Sequence, residues 1–375
     1  MIVPAIGGLT IVLVVLWEAF ETIILPRRVT RRFRFTVLVY RSTWLPWRRI
    51  AHMIRTRKRR ETFLSIYGPL SLLVLFVLWA VALIIGFGLL YYDASRRDGF
   101  SPALGTCFYM SGTNFFTLGL GDVLPHTSIE RFLAVVESGL GFGFLALIIS
   151  YLPVIYQAFS RREVNIVLLD ARAGSPPTAA ELLRRQTGPH GYEALQQLLN
   201  DWERWSADLL ESHISYPVLS YFRSQHNNES WLAALTAILD TSALMIVHAD
   251  EVCSRQARLT FAMCRHAIVD LAQVFAAAPR AVPHDRLPPE DFARLRAVLS
   301  QAGFPSGDSP EMISKLAALR QMYEPYVVAL AAFLYMELPP WILAKEIADN
   351  WKTSAWSRIS GFAVQSQRDE AADDH

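Results

Sequence analysis

The sequence predicts an all-α membrane protein: three transmembrane helices plus a re-entrant helix and loop, followed by a cytoplasmic α-helical bundle. Three observations predict it. The chain of 375 residues is 52% hydrophobic with a mean hydropathy of +0.25, and its long uncharged runs crowd into residues 1–160. Residues 1–157 carry 16 Lys/Arg against 8 Asp/Glu and the rest 20 against 26, so a basic half precedes a mildly acidic one. Beyond Val164 the apolar residues recur at helical steps and do not alternate as in strands.

A helical span needs ~20 apolar residues. The first candidate runs from Ile2 to Leu25, interrupted by Glu18 and Glu21, whose expected partners are Arg27, Arg28 or Arg31. No basic residue precedes this run and no small-residue cleavage site follows it, so it reads as a span and not as a signal peptide. Between Arg27 and Arg60 lie 13 Lys/Arg and no acidic residue. Basic loops stay cytoplasmic, which sets the N-terminus outside and the C-terminal region in the cytoplasm of a cell (inner) membrane. Phe, Trp and Leu interleave with the arginines there, predicting one or two helices lying on anionic lipid headgroups. With spans on both sides of this segment, nucleic acid is not an expected partner.

The second span, Leu64 to Tyr92, contains no charge, and the third, Phe132 to Phe159, contains only Glu137. Between them, Ser101 to Phe116 is apolar, too short to cross, and runs into a glycine-rich turn. That is the form of a re-entrant helix and loop, since irregular backbone at membrane depth survives only inside protein or beside a watery cavity.

The loop reads Thr117-Leu118-Gly119-Leu120-Gly121-Asp122. A filter for potassium must replace the ion's water with oxygens, and backbone carbonyls from four chains do so around a shared axis. Such a backbone alternates in hand, and glycine at alternate positions removes the steric cost. Gly119 and Gly121 have that spacing, Thr117 can add a hydroxyl at the inner end, and Asp122 would ring the outer mouth with carboxylates. An ionisable group inside a membrane helix needs a partner or water. Glu137 is therefore read as a filter support bonding Thr113 or Asn114, as a cavity-facing charge, or as a protonated structural residue. Gly139, Gly141 and Gly143 weaken the third helix at mid-depth, with Gly141 the expected hinge, and Pro153 is expected to kink its inner end. Ile149 and Tyr151–Ile155 would then line a constriction.

The TLGLGD loop, preceded by a short apolar helix and followed by a long one, resembles the pore-loop potassium channel superfamily. It is similar above all to bacterial potassium channels and to the filters of the two-pore-domain subfamily. The resemblance covers about Leu64 to Phe159. Arg131 falls where the inner helix of simple bacterial channels begins, and Gly141 where that family places its hinge. The resemblance implies that K⁺ is coordinated by carbonyls of Thr117, Leu118, Gly119 and Leu120 with the Thr117 hydroxyl, in a homotetramer. Leu120 stands where tyrosine is usual, Phe116 where threonine often lies, and Thr113 where some bacterial channels carry glutamate. Leu120 and Phe116 leave a weakly selective cation channel as the nearest alternative; an alternative of a different class is a membrane-tethered signalling protein whose bundle binds a partner and whose pore is vestigial.

The expected organisation is a first transmembrane helix (1–26), a basic interfacial segment (27–63), a pore domain (64–159), a linker (160–177), a cytoplasmic helical domain (178–350) and a tail (351–375). In the helical domain Leu195, Leu198, Leu199, Trp202, Trp205 and Leu209 mark one amphipathic helix. Further helices are expected over 229–249, 254–277, 288–302, 309–336 and 339–350. Trp231–Ala249 and Pro325–Leu343 are apolar enough to pass for spans, but Asp240 and Glu337 favour buried bundle helices. Cys253 and Cys264 could share a helical face and read as buried small residues. No nucleophile–base arrangement, metal cluster or phosphate loop is visible, so neither an enzyme nor a cofactor is expected. The helical domain is read as an assembly or gating module for an unknown cytoplasmic ligand.

Overall fold

The computed structural model describes residues 3–25, 35–100, 102–186, 190–225, 228–248, 251–282, 284–304 and 309–345, with the backbone alone at 251–253. All of its regular elements are helical, with no strand among the described residues. The chain is an all-α membrane protein with a C-terminal helical region. Two compact units divide it: Met1–Phe159 with Ser215–Phe222, and Ser160–Ile214 with Arg223–His375.

In the first unit, α1 (Val3–Ala19) ends in a π-turn, Phe20–Ile24. It packs along α3 (Arg57–Arg97), and Gly8 sits so close to α3 that an added Cβ would come within 2.5 Å of the Gly86 carbonyl. Small residues are what permit such close crossing in a membrane. Glu18 does not dangle in lipid. Its carboxylate accepts the Phe35 and Thr36 amides (3.1 Å each) and the Thr36 hydroxyl (2.9 Å), satisfying the first turn of α2 (Phe35–Met53). Glu21 accepts the Trp17 indole at 2.7 Å. The arginines expected beside these carboxylates fall outside the described residues. The basic segment thus holds α2 and the first turns of α3, which starts at Arg57 and not at Leu64. At its start Arg57–Glu61 are strong helix formers, and at its end the Asp93–Arg97 pair (2.7 Å, i,i+4) carries the helix past the apolar core of the span.

After the short re-entrant α4 (Leu104–Phe115), α5 runs from Ser128 to Ala173. Its start is a reciprocal cap: Thr127 Oγ1 accepts the Glu130 amide and Glu130 accepts the Thr127 amide, both at 3.2 Å. Its end differs from expectation, because the segment read as a linker from 160 continues the helix. Residues 160–173 contain neither glycine nor proline, and the stop comes only at Gly174, whose φ of +81° closes the helix.

In the second unit, α6 (Ala179–Arg184) and α7 (Gly191–Ser215) lead to α8 (Trp231–His248), α9 (Glu251–Val274), α10 (Pro289–Gln301), α11 (Pro310–Gln321) and α12 (Glu324–Leu334). The predicted stripe of α7 from Leu195 to Leu209 is buried. Among the described residues four helices are long and apolar enough to cross a membrane, but protein covers 94% of the apolar window of α8 against 11% of that of α5. Buried Asp240, in the middle of α8, is met by Arg286 (2.6 Å) and the Tyr323 hydroxyl (2.5 Å), and Arg286 also reaches Glu324 at 3.1 Å. Two expectations fail here. The run 309–336 is two helices, because Pro325 belongs to a first helical turn and cannot continue α11. The expected helix over 339–350 is absent as far as Lys345: Tyr335 turns left-handed (φ 56°), and Pro339 and Pro340 have no amide to donate. Residues 346–375 lie outside the described residues.

Candidate functional site

The site is built where α4 ends. A helix leaves its last carbonyls unbonded. Here the Thr117 amide donates to the Asn114 carbonyl (3.0 Å) and the Leu118 amide to the Thr113 carbonyl (2.8 Å), a paired closure that needs a left-handed residue at Thr117. Thr117 adopts it, with φ 54°. Glycine usually fills this position, and a β-branched residue there is a conformational outlier. Gly119 and Gly121 follow with φ 61° and 76°, while Leu118 and Leu120 are not left-handed. The predicted alternation in hand therefore extends over three positions, with a threonine as the first. Among the described residues, chain neighbours aside, nothing lies within 4 Å of a Cβ built on Gly119 or Gly121, so glycine is there for its backbone freedom and not for space.

The Asp122 end of the loop is tied back to α4. The Tyr109 hydroxyl donates to Asp122 Oδ2 at 2.8 Å, fixing the carboxylate that ends the loop. The sequence reading missed Tyr109. The two residues are 13 apart, and their meeting depends on how the chain folds back after α4.

Behind the loop a polar network joins three helices. Glu137 of α5 is completely buried. It accepts the Tyr91 hydroxyl of α3 at 2.8 Å, and Ser111 Oγ of α4 lies 2.5 Å from its other oxygen. The Asn114 amide donates to Tyr91 Oη (3.1 Å), and Ser138 Oγ donates to the Asn114 carbonyl (3.2 Å). Glu137 is thus hydrogen-bonded inside protein, and Asn114 is reached through Tyr91. Thr113 turns back to the Met110 carbonyl at 2.9 Å. Tyr91 and Ser111 were not singled out from sequence; the signal was Glu137 itself, a buried carboxyl that requires donors from neighbouring helices.

Gly141 has a different job from the other two glycines of α5. A Cβ there would lie 2.0 Å from the Phe115 carbonyl, whereas Gly139 and Gly143 meet nothing within 4 Å. The backbone of α5 therefore presses on the last turn of α4 directly under the loop. Pro153 lies inside α5, with Tyr151 and Ile155 buried beside Phe76 and with Ile149 exposed. The constriction expected from Ile149 and Tyr151–Ile155 is thus split between two faces of the helix.

Residues 74–157 match the protein-family model described as an ion channel, an interval that holds α4, the 117–122 loop, Glu137 and Pro153. A protein of Bacillus subtilis (strain 168) described as the uncharacterized membrane protein YdjJ is 23% identical over 251 residues, 65% of this chain and 70% of that one. No solved structure matches the chain. With the apolar helices, these similarities support an ion channel in a multi-pass membrane protein.

Proposed function

We propose that four copies of this chain form a potassium-selective channel, with the filter at Thr117–Asp122. The observation that carries the proposal is the alternation of hand at Thr117, Gly119 and Gly121 directly after a re-entrant helix. Around a four-fold axis, such a backbone can offer rings of carbonyl oxygens from Thr117, Leu118, Gly119 and Leu120 that take the place of the ion's water. The Thr117 hydroxyl adds a ring at the inner end, and Asp122, oriented by Tyr109, concentrates cations at the outer mouth. The exposed apolar face of α5, including Phe142, Leu145 and Ile149, is open to packing against neighbouring copies or against lipid. A cyclic homotetramer closes the filter. Conduction is passive, with K⁺ as the permeant ion and no cofactor.

The basic segment lies on the cytoplasmic side against anionic lipid, the N-terminus is outside, and the C-terminal helices are cytoplasmic and bias the gate. Gly139 and Gly143 provide the flexibility of α5 and Gly141 its contact with α4. Glu137, Asn114 and Thr113 support the filter. The test is tracer flux in liposomes: K⁺ uptake that Na⁺ does not share and that Gly119→Ala abolishes is expected. Equal uptake of both ions would favour a weakly selective channel, in which the missing hydroxyl at Leu120 leaves the filter less firmly held.

A further inference from the structure

The chain of the second unit makes one excursion. It leaves after Ile214, contributes Ser215–Phe222 to the first unit, and resumes at Arg223. The excursion holds a short 3₁₀ turn, Pro217–Tyr221, and three aromatic rings. Val218 and Leu219 are buried in the same apolar cluster as Phe76, Tyr151 and Ile155. Tyr221 is boxed by Tyr40 (5.9 Å between centroids, stacked), Trp44 (5.1 Å) and Tyr67 (5.2 Å), the last two edge-on. Phe222 lies against α3 at Gly68, where an added Cβ would come within 2.6 Å of its ring.

Two rings of the excursion reach α5. Tyr216 meets Tyr151 edge-on at 5.6 Å, and Phe222 meets Phe159 at 5.6 Å. These contacts bracket Pro153, which lacks an amide and leaves α5 one backbone hydrogen bond short in that turn. The excursion is held at both ends within the second unit. Before it, buried His213 sits 3.2 Å from Arg162 Nη1. After it, Arg223 Nη2 donates to the Leu334 and Tyr335 carbonyls at 2.6 and 3.1 Å.

We propose that Ser215–Phe222 is a clasp through which the C-terminal helices set the conformation of α5 around Pro153, and so the inner gate. The proposal rests on the channel reading above. The clasp ties α2, α3 and α5 together at one level, and a shift of its anchors at His213 or Arg223 pulls on Tyr216 and Phe222 directly. Because both rings touch α5 on either side of its weakest turn, a small displacement changes how that turn bends.

The experiment uses the full chain in lipid vesicles, with Tyr216→Leu and Phe222→Leu, which keep apolar bulk but remove the rings. Amide exchange across 149–159 is read by mass spectrometry, and K⁺ and Na⁺ flux in the same preparations. The expected result is about a fivefold rise in exchange at 149–159, the size set by losing one aromatic contact. Exchange in α8 stays unchanged, and K⁺ flux shifts by a similar factor at a constant K⁺-to-Na⁺ ratio. Gly68→Ala, which pushes Phe222 off α3 without touching the clasp sequence, is expected to reproduce both effects. Unchanged exchange at 149–159 in all three variants overturns the clasp. So does raised exchange with unaltered flux, provided Gly119→Ala still abolishes that flux. Absence of any Gly119-dependent flux in the unaltered chain refutes the channel reading, and the gating role of the clasp with it, whatever the exchange shows.

Discussion

Single side chains at the loop differ in what they tolerate. Placing a Cβ at a left-handed position costs about 1–2 kcal/mol per residue, and a tetramer repeats it in every subunit. Gly119→Ala is therefore expected to abolish K⁺ uptake while chromatography still shows the assembled protein. Tyr109→Phe removes the hydroxyl that donates to Asp122 and changes nothing else in shape. Its expected effect is a several-fold fall in K⁺ uptake, smaller than that of Asp122→Asn and not additive with it, measured as a double-mutant cycle. At Glu137, Ser111 Oγ lies within 2.9 Å of the Ile84 carbonyl as well as beside the carboxyl, and a hydroxyl has one proton to give. Glu137→Gln, which can donate to Ser111 and accept from Tyr91, is expected to keep flux and stability, whereas Glu137→Ala lowers stability by about 1–3 kcal/mol in a thermal assay. Gly119 and Gly121 were legible because a conformational demand leaves its trace in the sequence; the left-handed turn at Thr117 was not, because a β-branched residue gives no sign of it. Tyr91 was not: its bond to Glu137 joins residues 46 apart, and nothing local marks it.

Among the elements, α5 carries the gating argument. The sequence marked three glycines and proposed Gly141 as hinge, yet only Gly141 is pinned against the Phe115 carbonyl. Gly141→Ala must displace the last turn of α4, so it is expected to damage selectivity as well as gating. Gly143→Ala stiffens the helix without a clash, and it is expected to change the open fraction in single-channel records at unchanged reversal potential. A selectivity effect confined to Gly143→Ala would contradict this division of roles. Spans were legible in the sequence because lipid demands long apolar runs, and α7 because its apolar residues keep helical spacing. Helix ends were not: α3 and α5 outrun their apolar cores through charged helix formers, and the break before α12 depends on a single proline. Which α5 face packs inward is set by Phe76 and the clasp, contacts that composition does not reveal.

At the scale of the whole molecule, the two compact units fail in different ways. The second is organised around the Asp240–Arg286–Glu324 cluster. Arg286→Leu takes away the ion pair of buried Asp240 and leaves it the Tyr323 hydroxyl, while Glu324 keeps Arg320, and a loss of about 3–5 kcal/mol in denaturant unfolding is expected. His213 gives the second unit a pH dependence. Burial first, and the Arg162 guanidinium second, push its pKa well below the usual histidine value. In the unfolded chain it titrates near ~6.5, so its contribution is complete above that pH and is lost as the pH falls toward the depressed folded value. His213→Gln is expected to flatten that acid slope in pH-dependent melting. The broad division into membrane and helical halves was legible from charge and hydropathy; the excursion of Ser215–Phe222 into the first unit was not, because Tyr216, Tyr221 and Phe222 look in sequence like any loop aromatics. The central claim is a potassium filter at Thr117–Asp122, and its most direct test is the reversal potential of the reconstituted protein between K⁺ and Na⁺ solutions. A potential that follows the K⁺ gradient, together with loss of current in Gly119→Ala, is the predicted result. A potential near zero across the K⁺/Na⁺ pair, or current indifferent to Gly119→Ala, would contradict it.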